Sequence, residues 1–256
     1  MSLSVNAYSL PGPVDPEELA GGTVVVIDVL RASTTIVHAL SAGASEVIPC
    51  LEIEDARATA GQFPPGQAIL GGERQGLPIE GFDLSNRPTE YTPERVRGRT
   101  VVFTTTNGTR AMEKCRLAER VLIGAFVNAK ATVQQLLGCR EIHLLCAGTR
   151  GKFGPDDFLL AGLLVDRLLR WSGLRYRLNS QAETARRDWV NAFPARVTQD
   201  GGLDPLHLAE LLRESPGGQN LIAIGLDNDI LTAATIDAFD IVPELDVDSF
   251  RIQAQK

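Results

Sequence analysis

Residues 23–30, TVVVIDVL, constrain the fold of this chain more than any other segment. Val24 through Ile27 are apolar with no polar alternation, so a strand built from them has no face for water. Such a strand must be covered on both sides, the setting of a parallel sheet between helical layers. Further apolar runs of strand length follow at 45–50, 67–74, 100–104, 120–124, 141–146 and 240–245. Segments of helical period lie between them at 33–43, 52–62, 108–117, 129–137 and 156–171, with weaker ones near 180–190 and 204–213 and one more in the tail. A loop rich in Gly and Asp precedes the 204–213 segment, and the stretch 75–98 reads as a long ordered loop, a length that often carries function. Repeated strand–helix units with buried strands predict an α/β fold with a mostly parallel sheet covered on both faces. No low-complexity linker interrupts the pattern, so one domain over 1–256 is expected.

Composition narrows the function classes. The formal charge is -7, from 32 acids against 25 bases, which argues against a general nucleic-acid binder but leaves room for a local basic pocket. No apolar run approaches the roughly 18–20 residues of a membrane span. The first twenty residues show neither a basic stretch nor an apolar core of the secretory kind. Cys50, Cys115, Cys139 and Cys146 are scattered without a Cys-x-x-Cys pair, as expected of free thiols in a reducing cytoplasm. His38, His143 and His207 lie far apart, which speaks against a zinc site.

Three strand ends carry the chemistry. VVVIDVLRAST, VVFTTTNGTRA and IHLLCAGTRGKFGPDD each pass from an apolar strand into polar or Gly-rich residues and then a helix. Ligands of open parallel sheets bind beyond the carboxyl ends of the strands. If these three strands are parallel neighbours, Asp28, Arg31, Ser33, Thr104 to Thr109 and Arg150 to Asp157 converge there. A strand entering a parallel crossover cannot close a two-residue hairpin, so Asn107-Gly108 is expected to turn into a helix. Its N–H groups are then either free for an oxyanion or part of a plain cap by Thr106 or Asn107, and spacing alone does not choose between them. Asp28 ends an apolar run, where a carboxylate is costly unless paired or metal-bound. It is either a nucleophile, base or magnesium ligand, or an ion-pair partner of Arg31. A haloacid-dehalogenase site is excluded, since it needs a second Asp where Leu30 stands. Glu73, Arg74, Glu80, Asp83 and Asn86 gather in a Gly- and Pro-rich loop, with donors suited to Mg²⁺ or simply exposed to water. The P-loop pattern is absent, and Lys152 stands where a cysteine phosphatase built on Cys146 would need Arg. Asp156 and Asp157 sit where acids favour a helix start. No G-x-G-x-x-G opens a helix after the first strand, which leaves a dinucleotide dehydrogenase without support.

Taken together, VIDVLRASTTI, GGERQGLPIEGFDLSNRP, FTTTNGTRA, CAGTRGKFGPDD and SPGGQNLIAIGLDNDI…DIVPEL resemble the 2-phosphosulfolactate phosphatase (ComB) family, in family order from about residue 24 to 245. The resemblance implies a three-layer α/β/α fold, Mg²⁺ dependence and hydrolysis of 2-phospho-3-sulfolactate to sulfolactate and phosphate, a step of coenzyme M synthesis in methanogens. Two positions depart from the family pattern: Arg87 within Ser85-Asn86-Arg87-Pro88, and Gln219 where a basic residue usually follows the glycine pair. On this reading Asp28, Arg31 and Glu73 are catalytic, and Glu73, Asp28 and Asp157 are the metal ligands. Arg31 and Arg74 clamp the acidic groups of a small polyanionic substrate. Thr105, Thr106, Asn107, Gly108, Thr109 and Lys152 hold the phosphoryl group. The competing readings are a non-catalytic sensor of a phosphorylated or sulfonated metabolite and a lyase or isomerase acting on a phospho-acid. A homodimer is the base-rate expectation for the assembly.

Overall fold

The computed structural model describes residues 3–193 and 204–255, so the Gly- and Asp-rich loop before the 204–213 segment lies almost wholly outside the described residues. The strands are β1 (Ser4–Tyr8), β2 (Thr23–Ile27), β3 (Glu46–Cys50), β4 (Ala68–Gly72), β5 (Thr100–Thr104), β6 (Arg120–Gly124), β7 (Glu141–Cys146), β8 (Arg177–Leu178), β9 (Val242–Asp246) and β10 (Arg251–Gln255). The helices are α1 (Ala32–Ser41), α2 (Ile53–Ala60), α3 (Pro93–Val96), α4 (Gly108–Glu113), α5 (Ala129–Leu136), α6 (Pro155–Ser172), α7 (Ser180–Ala192), α8 (Pro205–Glu214), α9 (Pro216–Ala223) and α10 (Asp227–Ala233). All ten strands form one sheet in the order β4-β5-β3-β10-β9-β6-β2-β7-β1-β8. Every side chain of β2 is buried, as its apolar run requires.

Helices cover both faces, giving the expected three-layer α/β/α arrangement. On one face Val25, Ile27, Leu144 and Cys146 pack against α5, α6 and α7, while Ile48 and Val102 pack under Ala56 of α2. On the other, Val24 and Val26 share a core with Ile36 of α1, Met112 of α4, and Val47, Val101 and Phe103 of the far strands.

The sheet is mixed in a specific way. β4, β5 and β3 form one parallel block, and β6, β2, β7, β1 and β8 form another. The antiparallel hairpin β9–β10 joins them through three successive antiparallel pairings, so the two blocks point in opposite directions. The expected parallel neighbours are therefore β2 and β7 only, and β5 belongs to the other block. In a flat sheet its carboxyl end would lie on the opposite edge from that of β2. Five strand steps separate them, and about 20–25° of twist per step turns one by roughly 100–125° relative to the other. The curl around α1 and α4 thus brings both carboxyl ends to one cleft.

Three strands escape the apolar-run criterion, the two-residue β8 beside β1 among them. β1, SVNAY, and β10, RIQAQ, place polar residues on alternate positions and gain their place through main-chain pairing with β7 and β9. The long loop is also less irregular than expected, since it contains α3, and the single tail helix is two, α9 and α10.

Candidate active site

Asp28 is the first residue beyond β2 and is almost fully buried. A short turn of hydroxyl residues holds it: its N–H donates to Ser33 Oγ at 2.9 Å, its carbonyl accepts from Ser33 N–H, and Ala32 N–H approaches Oδ1 at 3.3 Å. The side chain faces the start of α4. A Cβ on Gly108 would fall 2.9 Å from Asp28 Oδ2 and 2.8 Å from Ala32 Cβ, so only glycine admits this approach. Burial raises the Asp28 pKa to about 7, with the Glu73 and Asp156 charges adding to the rise while Ala32 N–H and Arg31 oppose it.

Glu73 arrives from the other block. Gly72 has φ of 137°, and a Cβ there would lie 2.0 Å from the Thr104 carbonyl, so glycine is required for β4 to end over β5. The Glu73 carboxylate then accepts from Thr106 N–H at 2.7 Å and from Gly76 N–H at 2.5 Å. These contacts tie the 73–76 turn to the end of β5 and set a second buried carboxylate beside the first.

Asn107-Gly108 does turn into a helix. Neither cap expected there forms: Asn107 makes no side-chain cap and instead accepts from Arg150 N–H at 3.1 Å, joining the ends of β5 and β7. Thr105 Oγ1 takes the Thr109 N–H at 3.4 Å. Thr106 N–H is engaged by Glu73, whereas the N–H groups of Asn107 and Gly108 meet no acceptor among the described residues. Two amides, rather than four, are thus open to an oxyanion beside Asp28.

Four further expectations need correction or refinement. Arg31 does not pair with Asp28: it donates to Asp229 Oδ2 at 2.6 Å and to the Gly76 carbonyl at 3.0 Å, with both Arg31 and Asp229 buried. Arg74 is no clamp, because its guanidinium donates to the Glu73 and Leu51 carbonyls and to Thr104 Oγ1, away from the cleft lining. Asp157 does not line the cleft; Oδ1 accepts from Val29 N–H at 2.7 Å and Oδ2 from Gly148 N–H at 2.9 Å, stitching β2 to β7. Lys152 is exposed and pairs with Thr149 through its backbone, while Arg150 joins Arg31 in lining the cleft. Cys146 is buried among Val25, Ile27 and Phe158, with its thiol pushed far up by burial and by Asp157 and Asp156, which removes it as a nucleophile.

The cleft also draws on residues that no strand end announced. Gln75, Asn86, Gly217 and Asn220 help complete its wall. Asn86 and Asp156 each bury a side-chain oxygen without a hydrogen-bond partner among the described residues. Asp229, buried in α10, pairs with Arg31 and with Arg87 Nε at 3.3 Å. The family departure at Arg87 is therefore held by an acid of the tail, and the one at 219 lies outside the cleft, where Gln219 Nε2 donates to the Arg213 carbonyl. The only sequence signal for Asp229 was its place in the GLDNDI tail motif.

The donor set can be tested against a divalent cation. Among the described residues no three His, Cys, Asp or Glu side chains gather into a protein-only cage. Mg²⁺ ordinarily takes one or two carboxylates and completes its shell with water and substrate oxygens. Asp28 and Glu73 supply two buried carboxylates whose mutual repulsion helps raise the Asp28 pKa, and a cation between them would relieve it. All-oxygen donors of this kind fit Mg²⁺.

Comparison with known proteins adds an independent line. A family model described as 2-phosphosulpholactate phosphatase matches residues 8–248. A relative from Clostridium tetani is 44% identical over 232 residues, covering 90% of this chain and 92% of its own. One from Thermotoga maritima is 40% identical over 233 residues, with coverage of 91% and 92%. Another, from Caldanaerobacter subterraneus subsp. tengcongensis, is 37% identical over 242 residues, with coverage of 94% and 95%. Each bears the name "probable 2-phosphosulfolactate phosphatase". With the match running through every strand end that builds the cleft, the chain belongs to the 2-phosphosulpholactate phosphatase family of phosphoric monoester hydrolases.

Proposed function

We propose that this protein hydrolyses 2-phospho-3-sulfolactate, or a closely related small phosphorylated acid, with the help of Mg²⁺. The observation that carries this reading is the approach of the Asp28 carboxylate to Gly108 at the start of α4, beside two amides without acceptors. A phosphoryl group placed there would receive the Asn107 and Gly108 N–H groups on its oxygens and meet a carboxylate with a pKa of about 7. Without a cation that value suits a general base near neutral pH, and a bound Mg²⁺ would lower it and keep the carboxylate ionised. Asp28 takes the proton of an attacking water as the new P–O bond forms. The ester P–O bond breaks, and the electron pair leaves with the hydroxyl oxygen of the acid, which gains a proton from solvent. Glu73, anchored through both oxygens, fixes the 73–76 turn against β5 so that the opposed walls stay in register. Asp28 and Glu73 are the residues that would hold Mg²⁺, which when bound neutralises phosphoryl charge.

The test is phosphate release from 2-phospho-3-sulfolactate, 2-phospholactate and phosphoglycolate, each in Mg²⁺ and in EDTA. Release that requires Mg²⁺ and favours the sulfonate is expected. Release from the other esters alone would keep the chemistry and change the substrate. No release from any, with saturable binding of sulfolactate, would replace the enzyme with a sensor.

A further inference from the structure

On one flank the cleft borders a groove that contains none of the expected catalytic groups. Gln75, Thr106, Asn107 and Arg150 line both spaces, so the two adjoin. Among the described residues three cations face the groove, Arg110, Lys114 and Arg150, and no acid does, in a chain whose formal charge is -7. Among the described residues neither the Arg110 nor the Arg150 guanidinium has a hydrogen-bond or ion-pair partner, and Lys114 reaches only the Val14 carbonyl, at 3.3 Å. Arg110 and Lys114 stand four residues apart at α4 and so share a face. The opposite wall is Leu10, Pro11 and Pro13, an apolar rim that lowers the local dielectric and strengthens any charge interaction made against it.

In the cleft the charges are arranged the other way. Arg31 is engaged with Asp229 and the Gly76 carbonyl, and the groups left facing the substrate include Asp28 and Glu73. A second acidic group on the substrate would be repelled by those carboxylates, and the nearest cations without partners are those of the groove.

We propose that the groove is the subsite for the acidic group at the far end of the substrate, a sulfonate or carboxylate carried on its carbon chain, with Arg110, Arg150 and Lys114 as the residues that set specificity. This rests on the phosphatase reading above. Forked guanidinium donors match the oxygens of such a group, and a point charge at Lys114 adds attraction without direction. The same chemistry would hold a free oxyanion such as inorganic phosphate, and the test separates the two sources.

Arg110→Gln, Lys114→Gln and the double variant are compared with the unaltered protein. Arg110 is exposed, so folding is not at stake, and thermal melts verify it. The first readout is the ratio of kcat/KM for 2-phospho-3-sulfolactate over 2-phospholactate, which differ by the sulfonate. A fall of about tenfold or more in Arg110→Gln, expressed through KM for the sulfonate ester, is expected for the loss of a charge-assisted hydrogen bond. An equal loss for both esters, or none, overturns the proposal. The second readout is calorimetric titration with sulfolactate and with inorganic phosphate. Sulfolactate affinity should fall by a similar factor while phosphate affinity holds. A fall for phosphate alone marks a free-anion site and overturns the assignment to the substrate. If neither ester is hydrolysed by the unaltered protein, the phosphatase reading fails, and the sulfolactate titration still decides the groove. Weaker binding in the variants then supports it, and equal or absent binding sinks it.

Discussion

The cleft and the groove beside it share four lining residues and carry opposite chemistry. The cleft buries its carboxylates and ties the buried Arg31 to Asp229 and to the Gly76 carbonyl, so these charges hold the 73–76 turn, α1 and α10 in place, while Arg150, shared with the groove, stays exposed. Among the described residues the groove leaves two arginines without partners, Arg110 and the shared Arg150, and presents no acid. A buried charge must be hydrogen-bonded to exist, and those bonds make it part of the scaffold. A charge at the surface needs no partner and remains open to a ligand. Asp28 is the exception within the cleft, buried yet held by a single 3.3 Å contact to Ala32 N–H, and its pKa records that shortfall.

Breaking the exception should have the largest effect. Asp28→Asn keeps shape and removes the charge, and phosphate release in Mg²⁺ should fall by about 10²–10⁴-fold, the span of a lost general base. Stability should move the other way. The folded pKa, about 7, lies above the ordinary value of 3.8, so between these limits the folded protein keeps a proton that the unfolded chain has lost. Stability in EDTA therefore falls as pH rises from about 4 to about 7 and levels off above, by a total of the order of 4 kcal/mol. Asp28→Asn should match the unaltered protein at pH 4 and exceed it at pH 8 in urea melts. Parallel pH profiles would show that this carboxylate is not the strained group described.

Breaking the scaffold comes next. Asp229→Ala leaves Arg31 buried without its ion-pair partner and should cost about 3–5 kcal/mol in denaturant unfolding, whereas Asp229→Asn should recover part of it. A loss below about 1 kcal/mol would show that Arg31 finds another acceptor. Gly108→Ala sharpens the comparison at the junction between the two regions. Its methyl would crowd Asp28 and Ala32, with an expected cost of about 1–3 kcal/mol and a clear loss of turnover. Full activity would mean that α4 can withdraw from Asp28. The smallest effect belongs to Gln219→Lys, which restores the usual basic residue outside the cleft. Stability should change by no more than about 0.5 kcal/mol, and kcat/KM by about twofold at most; a large gain would place 219 in contact with substrate.

Much of this was legible in one dimension. The unbroken run from Val24 to Ile27 demanded a buried strand, and β2 is buried at every position. Asp28 stood out as a carboxylate at the end of an apolar run, Glu73 through its loop and the family resemblance, and Asn107-Gly108 as a turn into a helix, and all three meet at one cleft. The roles of Arg31, Arg74, Asp157 and Lys152 were not legible. Hydrogen bonds to backbone atoms 23 to 128 residues away, as for Arg74 to Leu51 and Val29 to Asp157, leave no trace in local spacing. Asp229 was missed for the same reason.

What the sequence determined by itself is periodicity and therefore layering: which segments are strands, which faces need cover, and which strand ends carry polar chemistry. Those properties arise from residues within a few positions of one another. The tertiary structure alone decided that β5 joins the cleft from an oppositely directed block, because the β9–β10 hairpin and the accumulated twist across the intervening strands act over the whole chain. It also decided which charges hold the fold and which remain open, since a charge's role depends on what burial leaves beside it.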